Sequence, residues 1–251
     1  MSGSVPPSVR ASAETTEASR EERARDALLI GLTVATGVVD AISYLALGHI
    51  FTANMTGNVV FLALAVGQRN LYTALYSAAA LGGFCVGAIV AGRVLLRPRP
   101  GAVWPRHVTL VLSGELACMA AFAAVWTAAG GNTGGAGVIY LLIGLSSSGM
   151  GMQNAAARHL QVPGLTTTVV TTALTGLMVD LPALGVSGSV SRRAVWAVLA
   201  LFAGAAVGAT LVTYYRPMAP FVTVIAVAIV VAVAFVIFDR RMGADPHTPP
   251  N

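Results

Sequence analysis

Apolar residues run along this chain in long stretches, broken by short polar segments. The run from Val222 to Phe238, "VTVIAVAIVVAVAFVIF", contains no charged residue. A lipid-facing strand would alternate apolar and polar residues, and this run does not. Stretches of this kind predict helices, and roughly 20 apolar helical residues cross a bilayer. Eight helical segments follow from the pattern, at about 27–48, 54–68, 71–96, 107–129, 136–158, 165–185, 192–214 and 217–238. The second is short and polar at its start. The sixth, "LTTTVVTTALTGLMVDLPALG", is rich in threonine and carries Asp180 and Pro182. Residues 1–26 mix Ser, Glu and Arg without an apolar stretch and predict a disordered cytoplasmic tail. Residues 239–251 predict a second loose tail, leaving 27–238 as the membrane domain.

Composition turns this pattern into a solvent assignment. Charged residues make up 10% of the chain and apolar residues 56%, against about 25% charged in ordinary soluble domains. Mean hydropathy is +0.76. The expected fold is all-α, a polytopic transmembrane bundle whose first partner is the lipid bilayer. The net charge of +5 raises nucleic acid as a partner, but the basic residues lie in short loops beside apolar segments, without interleaved aromatics, so no nucleic-acid partner is expected. All fifteen basic residues are arginine. That fits a GC-rich genome, and the expected location is the plasma membrane of a bacterium.

Loop charge decides which segments cross. Arg97, Arg99 and Arg106 crowd the 97–106 loop, whereas "GGNTGGAG" at 130–137 has no charge. Eight crossings from a cytoplasmic N-terminus would put the arginine-rich loop outside, against the positive-inside bias. Six full spans plus two short or re-entrant helices, the second and sixth, keep that loop inside with Arg158, Arg192, Arg193 and both termini. Arg69 and Arg216 remain misfits. This topology exposes two similar halves, 27–129 and 136–238, starting from opposite sides. Such an inverted repeat is familiar among secondary transporters. Small residues recur at Ala79, Gly83, Gly87 and Ala91 in the third segment, and at Ala200, Gly204 and Gly208 in the seventh. These faces predict close helix packing, within the chain or in a homo-oligomer.

The polar residues inside the apolar segments carry the candidate chemistry. Asp40 lies about 18 Å along the first helix from Leu28, and an acid at membrane depth marks a site or a structural hydrogen bond. Thr33, Thr36, Gly37, Asp40 and Tyr44 recur at spacings of three and four. Next comes "FTANMTGNVV", with Asn54, Thr56, Gly57 and Asn58. Irregular backbone at this depth survives only where protein or a cavity satisfies it. Helix capping explains one or two of these polar groups; a ligand site would use the rest. Gln153 and Asn154, with Thr168 and Thr171, occupy the corresponding place in the second half. Glu115 is read as pairing with Arg106 near the interface. The cysteines, Cys85 and Cys118, read as buried hydrophobes. The four histidines lack zinc-helix spacing, and no nucleophile elbow or phosphate loop appears. No metal, cofactor or enzyme activity is expected.

The runs "GVVDAISYLALGHIFTANMTGNVVFLALA" and "GMGMQNAAARHL", the latter followed by "TTVVTTALTG", resemble the YoaK-type family of bacterial polytopic membrane proteins. That family carries a domain of unknown function. The resemblance covers about 27–238 and implies a multi-span membrane fold, without a substrate. One departure is Thr171-Thr172, where the family pattern implies Thr-Gly. Two functional readings stay open. The first is a secondary-transporter-like carrier of a small solute, with its site at the midplane between the two polar patches. The second is a non-transporting sensor or accessory subunit.

Overall fold

The computed structural model describes residues 7–96, 103–131, 135–162 and 188–239. Seven α-helices account for most of them, and no strand occurs among the described residues. They are α1 (Pro7–Ala46), α2 (Met55–Gly67), α3 (Leu71–Leu95), α4 (Arg106–Ala128), α5 (Ala136–His159), α6 (Gly188–Tyr214) and α7 (Ala219–Ala234). A π-helical turn, Phe235–Asp239, extends α7. Among the described residues, five segments are long and apolar enough to cross a membrane: Thr16–Ala46, Leu71–Leu95, Arg106–Ala128, Arg192–Tyr214 and Arg216–Phe238. The 24 residues of α5 span about 36 Å, but Ser146, Ser147, Ser148, Gln153 and Asn154 dilute its apolar character. At 13 residues, α2 reaches only about 20 Å. The predicted sixth segment, 165–185, lies outside the described residues.

The N-terminus differs from expectation. Residues 7–26, read as a disordered tail, are continuous helix with the first span. Their Ala, Glu and Arg content favours helix, and the span supplies a preformed turn on which they propagate without a new nucleus. At 40 residues, α1 is about 60 Å long, twice a hydrocarbon core. The salt bridge from Arg193 Nε on α6 to Asp26 Oδ2, at 2.7 Å, marks where it leaves the bundle.

Two buried clusters cap a third at mid-depth. One end joins Leu28, Leu32, Trp104, Val108, Ala156, Ala197 and Phe238. The opposite end joins Ala46, Leu47, Ile50, Ala80, Trp126, Ile139, Val212 and Ala219. Between them Val39, Met119 and Met150 meet. The buried indoles are satisfied: Trp104 Nε1 donates to Thr109 Oγ1 at 3.0 Å, and Trp126 Nε1 to the Arg216 carbonyl at 3.1 Å. Exposed apolar side chains such as Ile89, Phe202, Ile225 and Ile229 cover the outside, as lipid contact requires.

Two glycine seams hold the spans together. Between α1 and α6, a Cβ at Gly37 would strike the Leu201 carbonyl oxygen and come within 2.8 Å of the Ala205 nitrogen. One at Gly204 would strike the Val34 carbonyl oxygen. Between α3 and α5, a Cβ at Gly151 would strike the Phe84 carbonyl oxygen and come within 2.9 Å of the Ala88 nitrogen. One at Gly87 would strike the Ser148 carbonyl oxygen. The seams correspond residue for residue. Val34 and Gly37 stand to Ser148 and Gly151 at one constant sequence offset, and Phe84, Gly87 and Ala88 stand to Leu201, Gly204 and Ala205 at another. The small-residue faces of α3 and α6 therefore pack against α5 and α1 within the molecule.

Candidate functional site

The site is built where α1 ends. Gly48 (φ 93°) and His49 (φ 62°) take left-handed backbone and stop the helix. A side chain at Gly48 would also hit the Tyr76 ring at 2.6 Å. The chain then turns back into the bundle. The backbone N–H groups of Thr52 and Ala53 donate to Asp40 Oδ1 at 3.1 and 2.8 Å. Asp40 lies six residues before the end of α1, so the loop returns by about 9 Å. There α2 begins, capped by Asn54, whose side-chain oxygen accepts from the Gly57 N–H at 3.4 Å. Asn58 is fully buried. Its Oδ1 accepts the Phe51 N–H at 2.9 Å and its Nδ2 donates to the Phe51 carbonyl. Thr52 Oγ1 donates to Ser43 Oγ at 3.4 Å. This accounts for the polar density of "FTANMTGN": most of it satisfies a loop folded into an apolar setting.

Pinned in this way, Phe51 stacks on Tyr44 and on Phe61, with ring centroids 5.5 and 5.7 Å apart. Tyr44 also meets His49 edge-on at 5.1 Å. Beside this aromatic row lies an open cavity of about 430 Å³ between α1 and α6. Gly37, Ala41, Leu45, Leu201, Ala205 and Ala209 give it apolar walls, and Asp40, Tyr44, Phe51 and Asn54 close it on the loop side. Asp40 is the charged residue of that lining. Of its two carboxylate oxygens, Oδ1 is committed to the loop.

The predicted site residues divide accordingly. Asp40, Tyr44 and Asn54 line one cavity. Asn58 works behind it, on Phe51. Gly57 lets the Phe51 ring approach, since a Cβ there would lie 2.9 Å from it. Thr56 is exposed on the first turn of α2. Gln153 does not face the cavity: its Nε2 donates to the Leu32 carbonyl at 3.3 Å and to Thr36 Oγ1 at 2.7 Å, one turn before Asp40 on α1. Asn154 donates to the Met150 carbonyl at 3.0 Å. Thr168 and Thr171 lie outside the described residues. Among the described residues, no group of three or more His, Cys, Asp or Glu could hold a metal ion.

Comparison with known proteins agrees with this architecture. The family described as "Protein of unknown function (DUF1275)" matches residues 28–236, the whole bundle. The chain belongs to the DUF1275 family. It is similar to the UPF0700 transmembrane protein YoaK of Bacillus subtilis (strain 168), with 39% identity over 163 residues, 62% of this chain and 67% of that protein. No solved structure matches. The resemblance read from the sequence motifs is therefore correct, and this DUF1275 chain is a membrane protein.

One residue of this DUF1275 chain stands apart from its predicted role. Glu115 does not pair with Arg106 at an interface; it is fully buried, and neither carboxylate oxygen has a hydrogen-bond partner. Nine residues of helix separate the two, about 13 Å of rise. The signal was present in the sequence: Glu115 is the one acid in an otherwise apolar span.

Proposed function

We propose that this protein is a secondary-transporter-like carrier of a small solute in the plasma membrane of a bacterium. Its solute path passes through the Asp40 cavity. The single observation that carries the reading is that cavity: about 430 Å³, apolar, set against the final turns of the first spanning helix and furnished with one carboxylate. A ligand pocket has this character, mostly apolar with few placed polar groups. The loop that closes it is non-helical backbone held at membrane depth by Asp40 and Asn58, as substrate sites in carriers are. No catalytic role is assigned to the lining residues.

The same reading gives six full spans, α1 and α3 to α7, with α2 and the 165–185 segment short or re-entrant, as an inverted repeat with both termini cytoplasmic. The paired glycine seams support the repeat, because α1 on α6 and α5 on α3 make the same contacts at constant offsets. The distribution of charge supports the orientation. Arg93, Arg106, Arg158, Arg192 and Arg193 lie at the end of the bundle from which α1 enters, and Arg69 and Arg216 at the other.

The test is a thermal-shift screen of the purified protein against small metabolites, drugs and ions, followed by flux of any hit into liposomes. A ligand at a hundredfold excess over its Kd adds about 2.7 kcal/mol of apparent stability. The expected result is a hit whose shift and flux are both lost in Asp40→Asn. Flux unchanged in that variant would remove Asp40 from the mechanism. A hit that binds but never crosses the bilayer would replace the carrier with a sensor.

A further inference from the structure

The four-helix centre of the bundle contains oxygen atoms that the fold leaves unanswered. Glu115 on α4 is 0% exposed, with both carboxylate oxygens unpartnered. Gln153 on α5 is also 0% exposed; its Nε2 is used twice on α1, while its Oε1 has no donor. The two share one seam. A Cβ at Gly149 would lie 3.6 Å from Glu115 Cγ, and Gln153 is the next turn of α5 on that face. One residue earlier on α4, a Cβ at Gly114 would lie 3.2 Å from Met152 Sδ. From α7 comes Thr223, buried, with Oγ1 unpartnered. Its neighbour Val224 packs on the cluster that includes Met119, one turn from Glu115.

Orphan acceptors of this kind are costly. A buried polar atom without a partner gives up its bonds to water and recovers none, and an unpaired buried carboxylate loses more. Among the described residues, no positive side chain is placed to answer them. The spans of α5 and α7 carry no charged residue before Arg158 and Asp239. Asp40, on α1, is an acid and is bonded to the 52–53 backbone. The nearest titratable group on α4 is Cys118, and α3 contributes Cys85, which is exposed, and Arg93 in its last turn.

We propose that Glu115 and Gln153 hold one monovalent cation, a proton or Na⁺, inside the bundle. The missing partner is a positive charge that is not a side chain. A proton on Glu115 makes one oxygen a donor, and Gln153 Oε1 is the acceptor waiting for it; a single H⁺ answers both residues. Na⁺ would answer them by coordination, since carboxylate, amide and hydroxyl oxygens are the donors a hard cation takes. The site is separate from the Asp40 cavity but adjoins it through α1, because Gln153 is bonded to Thr36 one turn from Asp40. On the carrier reading, this is the coupling ion, and that use alone rests on the reading.

Occupancy is measured without any solute. The full chain in lipid nanodiscs is treated with a hydrophobic carbodiimide, which attacks protonated carboxyls in apolar surroundings, and the adduct is mapped by peptide mass spectrometry. The expected result is an adduct on Glu115, absent from Glu115→Gln. If the ion is Na⁺, added NaCl protects the residue against a choline chloride control. If it is a proton, labelling follows pH alone and NaCl is without effect. Gln153→Met should shift the NaCl or pH midpoint by up to about tenfold, the value of one lost hydrogen bond or oxygen ligand. An adduct confined to other carboxyls, or no adduct on Glu115 at any pH, overturns the proposal. Transport can fail while this labelling stands, and labelling can fail while transport stands.

Discussion

Asp40 has two jobs that substitution can separate. As an acceptor, it satisfies the Thr52 and Ala53 N–H groups at buried positions. As a charge, it faces the cavity. Asn retains an acceptor oxygen of the same reach, so Asp40→Asn should hold the fold to within about 1 kcal/mol while losing solute binding. Ala leaves two donors unpaired and should cost roughly 2–4 kcal/mol, read as a fall in melting temperature in detergent. If the Asn and Ala variants melt together, the loop anchor is not the carboxylate. Asn58→Ala removes both bonds to Phe51 and should cost about 2 kcal/mol. It should also weaken binding, because Phe51 forms one wall of the cavity. The polar stretch 51–58 was legible in the sequence as a device at membrane depth. Which of its groups face a ligand was not, because Asn54 and Asn58 look alike in a string and differ only in whether Phe51 is within reach.

Helix pairing is decided by backbone contact at single glycines. On α3, Gly87 and Gly83 meet α5, whereas a Cβ at Gly82 or Gly92 meets nothing within 4 Å. One helix thus contains its own control. Gly82→Ala and Gly92→Ala should be neutral or stabilise by up to about 1 kcal/mol, the helix-propensity difference. Gly87→Ala, and likewise Gly37→Ala, Gly151→Ala and Gly204→Ala, push a methyl into a carbonyl oxygen that no rotamer change can move. Each should cost about 3 kcal/mol or more. Equal melting temperatures for Gly82→Ala and Gly87→Ala would remove the seam. The four-residue spacing of Gly83 and Gly87 made tight packing readable from the chain. The partner was not readable, since Gly87 and Ser148 are far apart in sequence and small residues pair with any small-residue face. The N-terminal helix was missed for the opposite reason. Its mixed charge reads as solvated coil until a span beneath it supplies the first turn and Arg193 reaches Asp26.

At the scale of the whole molecule, charge and geometry agree on a two-ended object. The end from which α1 enters carries most of the described arginines, and Arg216 at the other is held locally, donating from Nε to the Gly131 carbonyl at 3.0 Å and lying 5.9 Å from the Trp126 ring centroid. On the proposed topology the arginine-rich end faces the cytoplasm, in line with the positive-inside bias. The gathering of arginines at one end could be read from loop charges before any fold was seen, but α2 could not be placed from its sequence alone. Its length is short of a span, and only the return of Thr52 and Ala53 to Asp40 brings its start back into the bundle. Single cysteines in a background lacking Cys85 and Cys118 decide the matter in spheroplasts with an impermeant maleimide. Leu96 and Gln68, both exposed, discriminate best, because crossing by α2 would exchange their sides. With α2 re-entrant, Gln68→Cys labels in intact spheroplasts together with Ala128→Cys. Leu96→Cys labels only after permeabilisation, together with Ala18→Cys. If Leu96→Cys labels from outside and Gln68→Cys does not, α2 crosses, the two halves no longer start from opposite sides, and the inverted repeat falls with it. The glycine seams would survive as packing, but their correspondence would no longer describe a carrier that rocks one half against the other.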